Sequence, residues 1–111
     1  MKVEMQDYGE VTVLRVLGDL DCESVELFQE SITKAVSVSR AGIVVDASGV
    51  GFIDSVGLER LLWARDYCNE NNCQLRLAGL DEICTKILEV TRLDNQFNCF
   101  AELAEAAKSF A

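Results

Sequence analysis

A chain of 111 residues, half of them apolar, can bury enough surface for one packed domain but has no room for a second core, so residues 1–111 are expected to fold as one unit. Nineteen acids against ten bases leave a net charge of −9. That balance excludes the Lys and Arg clusters a nucleic acid or an anionic membrane surface requires, and favours a partner that is basic at its contact.

In chain order, Lys2 to Met5 is a short strand candidate. Asp7-Tyr8-Gly9-Glu10 has turn chemistry, and Val11 to Leu17 is a stronger, β-branched strand that Gly18 ends. Asp19-Leu20-Asp21-Cys22 leads into a helix over Glu23 to Val36, where Val25, Phe28, Ile32 and Val36 recur at spacings of three and four and define one buried face. Glu23 and Glu26 in its first turn suit the helix dipole. Ser37 to Ala41 is a loop, and Ile43 to Asp46 is a strand of the kind buried on both faces.

Asp54 and Ser55 open the next helix, with Leu58, Leu61, Leu62 and Cys68 inward and Glu59, Arg60, Asp66 and Glu70 outward. Asn69 to Asn72 closes it with residues that tolerate helix-ending backbone angles. Gln74 to Ala78 is a strand and Gly79 a turn; Asp81 caps a helix carrying Ile83, Ile87 and Val90. A weak strand near Phe97 to Phe100 precedes a last helix holding Leu103, Ala107 and Phe110. The order β-β-α-β-α-β-α-β-α predicts an α/β fold with a mixed, mostly parallel central sheet packed with helices. In such sheets ligand and partner sites gather where strands end and helices begin, which is where Ser55 falls.

The run Phe52-Ile53-Asp54-Ser55-Val56-Gly57-Leu58 passes from apolar residues to an acid, a hydroxyl and a glycine. Ser55 is thus at or next to a helix N-cap, where unpaired N–H groups and the dipole favour negative charge. From the residues alone it either caps the helix or carries a phosphate. Hydrolysis is excluded: the surroundings are not G-x-S-x-G, and there is no histidine to act as base. Gly49-Val50-Gly51 lacks the lysine of a phosphate-binding loop and is read as a tight turn. Asp19 and Asp21 alone make a poor cation site, so a capping or contact role is favoured and no metal or cofactor is expected.

Cysteines 22, 68, 73, 84 and 99 show no C-x-x-C spacing, and without histidine there is no zinc set. Cys68 and Cys73 flank a helix end, match no redox motif and lack nearby positive charge, so all five are read as ordinary reduced thiols. Trp63, on an exposed or partly exposed side of its helix, is a packed residue or an interface anchor. No apolar run approaches the roughly 18 residues of a bilayer span, and the start Met1-Lys2-Val3-Glu4 has no signal character. A cytoplasmic protein without membrane insertion is expected.

The run Val44 to Leu58, with its Asp54-Ser55-Val56-Gly57-Leu58 end, resembles the signature of STAS domains, the family of bacterial anti-sigma factor antagonists. Gly18-Asp19-Leu20-Asp21 is similar to that family's Gly-Glu-Leu-Asp segment ahead of its first helix. The resemblance implies a non-enzymatic, partner-switching protein in which Ser55 is the phosphoacceptor. Its partner would be an anti-sigma factor that is itself a serine kinase with a histidine-kinase-like ATPase fold, and a serine phosphatase would reset the switch. The unphosphorylated form would hold the anti-sigma factor and the phosphorylated form release it. Asp19, Asp21, Cys22, Asp54, Ser55, Val56, Gly57, Glu59, Arg60 and Trp63 are the contacts expected. Three departures from the pattern stand out: Val56 stands where Ser or Thr is common, Asp19 replaces Glu, and Glu59 with Trp63 makes the helix start bulkier and more acidic. A second function class that the resemblance admits is a subunit bracing an ABC-type lipid transporter, with no phosphorylation.

Overall fold

The computed structural model describes residues 1–39 and 41–110; Arg40, within the expected Ser37–Ala41 loop, and Ala111 lie outside the described residues. The elements are β1 (Lys2–Tyr8), β2 (Val11–Leu17), α1 (Val25–Val38), β3 (Gly42–Gly49), α2 (Ser55–Glu70), β4 (Gln74–Ala78), α3 (Glu82–Val90), a 3₁₀ turn (Asp94–Gln96), β5 (Asn98–Phe100) and α4 (Leu103–Lys108). The strands form one sheet in the order β1-β2-β3-β4-β5; β1 runs antiparallel to β2, and the remaining neighbours are parallel. The expected α/β architecture and element order are therefore the observed ones.

Strand alternation splits the apolar residues between two faces. Ile43, Val45 and Ala47 of β3 point into the main core with Leu14 and Val16 of β2, Phe28 and Ile32 of α1, Leu61 and Cys68 of α2, and Cys84 and Leu88 of α3. Val44 points the other way and packs with Val11, Val13, Ala78 and Ala106 under α4. Three successive parallel crossovers stepping in one direction with one hand put α1, α2 and α3 on the same face. Among the described residues the second face is covered by the short α4 and by Phe110 just beyond it, whose ring lies against Gly42 and under the Arg76 guanidinium, 3.8 Å from the ring centre.

Several boundaries and faces differ from the sequence expectation. β1 extends to Tyr8 because its antiparallel register with β2 continues to the Tyr8–Val11 pair, around Gly9 at φ +64°. α1 starts two residues late, after a Ser24 N-cap, so Glu23 lies in the preceding turn and only Glu26 sits in the first turn; Ser37 and Val38 are helical. On α3 the buried residues are Cys84 and Leu88, while Ile83 and Val90 are 57% and 67% exposed. Two apolar stripes overlap on that short helix, and the one carrying the cysteine faces the sheet. Asp81 caps it as expected, accepting from the Cys84 N–H at 2.8 Å.

Candidate partner-binding site

Two loops meet at the C-terminal end of β2 and β3. The one between β2 and α1 is folded around a buried serine: Ser24 Oγ accepts from the Asp21 N–H at 3.0 Å and donates to the Asp19 carbonyl at 2.8 Å. Asp21 Oδ1 in turn accepts from the Glu23 N–H at 3.0 Å. The loop between β3 and α2 runs parallel to it through an isolated bridge, Leu20 with Ile53. The Leu20 N–H donates to Phe52 O at 2.9 Å, and the Asp54 N–H donates to Leu20 O at 3.1 Å.

Asp54 joins these loops to the helix. Its backbone is extended, as an N-cap requires, and Oδ1 accepts from the Gly57 N–H at 2.8 Å. Oδ2 accepts from the Cys22 N–H at 3.1 Å, so one carboxylate caps α2 and pins the neighbouring loop with two charge-assisted bonds. Gly57 permits the approach: a Cβ there would sit 2.3 Å from the Leu20 carbonyl oxygen. The sequence carries this glycine inside its most distinctive run, but its reason is a contact 37 residues away in sequence that no local pattern reveals.

Ser55 is then free. It is the first residue of α2 and exposed, and its hydroxyl has no hydrogen-bond partner among the described residues. The two roles open to this serine separate here, because Asp54 does the capping. Of the first-turn N–H groups, Gly57 is taken by Asp54 Oδ1 and Leu58 by Asp54 O at 2.9 Å. Those of Ser55 and Val56 point from the helix start with no backbone partner among the described residues.

The other expected contacts fall into two groups. Asp19, Asp21, Cys22, Asp54, Val56, Gly57 and Glu59 belong to the two loops or the first turns of α2, and Asp19 Oδ1 lies against Gly51. Arg60 and Trp63 are half-buried and committed elsewhere. Arg60 donates to Gln29 of α1; Trp63 packs on the core and stacks on Tyr67, ring centres 5.0 Å apart. Neither of the two salt bridges among the described residues, Lys2–Glu4 and Arg65–Asp66, touches this acidic patch. Sequence reasoning missed Phe52, which is 47% exposed on the loop directly before the Asp54–Ser55 pair. An aromatic between a glycine turn and an acid–serine pair was the available signal. Among the described residues no group of three His, Cys, Asp or Glu side chains could hold a metal ion, and no helix is long and apolar enough to cross a membrane.

A sheet with three crossover helices on one face, and a capped serine turn at the end of its central strand, defines a class of mixed α/β module. The model of the STAS domain family matches residues 2–106, and the chain belongs to that family. It is 25% identical over 104 residues to the anti-sigma-F factor antagonist RsfB of Mycobacterium tuberculosis, spanning 94% of this chain and 84% of that protein. The crystal structure of an anti-sigma factor antagonist from Mycobacterium paratuberculosis superposes with a TM-score of 0.87 at 23% identity, covering 98% of this chain and 92% of the other. The Bacillus cell fate determinant SpoIIAA in its phosphorylated form has the same fold, with a TM-score of 0.73 at 19% identity over 99% of this chain and all of that one.

Proposed function

We propose that this STAS domain is an anti-sigma factor antagonist that works by reversible protein binding, with Ser55 as its phosphoacceptor and no catalysis of its own. The observation that carries the proposal is the division of labour between neighbours: Asp54 caps α2, leaving an exposed Ser55 hydroxyl without a structural task. The names of the relatives support the same reading, and a phosphorylated form of one of them shares the fold.

The unphosphorylated face would dock a basic patch of an anti-sigma factor that is also a serine kinase, through Asp19, Asp21, Cys22, Asp54, Ser55, Val56, Gly57 and Glu59, with Phe52 as an apolar anchor beside them. Arg60 and Trp63 would support the helix rather than touch the partner. Phosphorylation adds about −1.5 to −2 charge. The domain tolerates it, because the helix dipole returns roughly 0.3–1 kcal/mol and the Ser55 and Val56 N–H groups are available to phosphate oxygens. The docked complex does not tolerate it, because like charges brought together in an interface cost several kcal/mol. A serine phosphatase would restore binding, and the cycle would run in the cytoplasm.

The test is incubation with the cognate kinase and ATP, mass spectrometry of the product, and titration calorimetry against the kinase. One phosphate on Ser55 is expected. Ser55→Ala should bind in the presence of ATP as tightly as the parent does without it, and Ser55→Asp at least about 100-fold more weakly, the equivalent of about 2.7 kcal/mol. Parent-like binding by both variants would refute the switch.

A further inference from the structure

The other end of α2 holds a cluster with no part in the docking face. The helix ends in a Schellman motif: Asn72 takes φ +57°, its N–H donates to Asn69 O at 3.3 Å, and the Cys73 N–H donates to Cys68 O at 2.9 Å. That geometry seats the side chains six and one of the motif against each other, and here both are thiols. Both are buried, and the Cys73 N–H bond to Cys68 O holds the two residues in backbone contact across the helix end. All five cysteines are free thiols, as expected, and this backbone turn brings two of them together without any C-x-x-C spacing.

The two thiols are also unlike. The Cys73 thiol is lowered below its ordinary value, chiefly by the neighbouring Cys68 thiol; burial opposes this, and the Gln74 backbone adds to it. Ser39 Oγ lies beside the same sulfur, but gives its proton to the Gly42 carbonyl at 2.7 Å, so the effect rests mainly on Cys68 and Gln74. Cys68 is pushed up by the same contact and by burial. Cys73 is thus the more acidic thiol of the two and Cys68 the less acidic, which suits the first to attack and the second to follow.

We propose that Cys68 and Cys73 are a reversible redox site, converted to an intramolecular disulfide by a peroxide oxidant. In the first step the Cys73 thiolate attacks a peroxide oxygen; an S–O bond forms, the O–O bond breaks, and the departing hydroxide takes up a proton to leave as water. Cys73 is then a sulfenic acid, oxidised by two electrons. In the second step the Cys68 sulfur, losing its proton, attacks the Cys73 sulfur; the S–S bond forms, the S–O bond breaks, and a second water leaves. Two thiols and one hydrogen peroxide give one disulfide and two waters. Hydrogen peroxide is little larger than water and can enter as the helix end frays, since Asn69 to Asn72 are exposed. The site stands clear of Ser55: the helix between Ser55 and Cys68, at about 1.5 Å per residue, puts it about 20 Å away. It is therefore independent of the switch proposed above.

The test uses the full chain carrying Cys22→Ser and Cys99→Ser, which removes the two exposed thiols. The folded protein is treated with hydrogen peroxide, denatured in excess N-ethylmaleimide and cut with trypsin, which places both cysteines in one peptide between Arg65 and Arg76. The expected peptide is unlabelled and lighter by two hydrogens, and takes two labels after reduction with dithiothreitol. A peptide that takes two labels without reduction, after peroxide doses that oxidise Cys22 and Cys99 in the parent, overturns the proposal. So does a Cys73 that proceeds to sulfinic acid while Cys68 remains a thiol.

Discussion

Replacing Gly57 by alanine sets two elementary effects against each other. In a helix, alanine is favoured over glycine by about 1 kcal/mol, so propensity alone predicts a more stable protein. The structure predicts the opposite. The new Cβ would lie 2.3 Å from the Leu20 carbonyl oxygen and 3.0 Å from both its carbonyl carbon and Cγ, and backbone cannot swing aside as a long side chain does. To regain ordinary contact the two loops must part by about an ångström, and overpacking of this kind costs about 1–3 kcal/mol, with rigid neighbours at the upper end. Separation also strains the Leu20–Ile53 bridge and the Asp54 bond to the Cys22 N–H. The net expectation is a loss of about 2 kcal/mol, or roughly 8 °C in Tm for a domain of this size. Thermal melts by circular dichroism and urea titration read it directly. Gly51→Ala is the control, since its Cβ would meet only Asp19 Oδ1 at 3.4 Å and should melt within a degree or two of the parent. A Gly57→Ala protein that melts at or above the parent refutes the close approach as the reason for the glycine.

Asp54→Ala removes the cap on Gly57 and the acceptor for Cys22 together, and should cost about 1–2 kcal/mol in urea unfolding. Asp54→Asn keeps an acceptor oxygen for the cap and should recover at least half of that loss; equal losses for the two variants would show that capping is not what Asp54 supplies. Burial, then the neighbouring Asp81 and the charge of Asp19, push the Cys84 thiol up to about 12, against an ordinary value near 9.0. Between those values the unfolded chain has released a proton that the folded chain still holds, so stability is full below about pH 9 and falls as pH rises toward 12. Melts between about pH 8 and pH 10.5 should show this decline, and Cys84→Ala should show a shallower one; parallel curves would mean that Cys84 does not titrate with unfolding.

What the sequence disclosed depended on how local the cause was. β2 and β3 are legible because β-branched runs bounded by glycine have few alternatives, and Gln74 to Ala78 is the strand expected, residue for residue. The caps at Asp54 and Asp81 are legible because each acts within three residues. α3 was misread because a nine-residue helix bearing Ile83, Cys84, Ile87, Leu88 and Val90 offers two apolar faces, and only the packing of the sheet selects between them. The thiol pair and the contact beneath Gly57 were invisible for a different reason. Each is made by a backbone turn or a tertiary approach that brings together residues whose identities carry no mark of the meeting.

This separation of causes bears on how Asp54-Ser55-Val56-Gly57-Leu58 works. Asp54 is held by two hydrogen bonds, Val56 by packing against the core, Gly57 by a steric limit and Leu58 by burial, so four of the five positions are fixed by the architecture. A chain could keep all four, and with them the STAS fold, whether or not it is ever phosphorylated. Ser55 is the position the fold leaves unconstrained, which is why its identity carries information about function that the rest of the run does not. The same freedom makes the binding experiment clean: Ser55→Ala and Ser55→Asp alter the charge and hydrogen bonding of the proposed docking face without touching a contact on which the domain depends. A change in partner affinity in those variants therefore reports on the interface and not on folding.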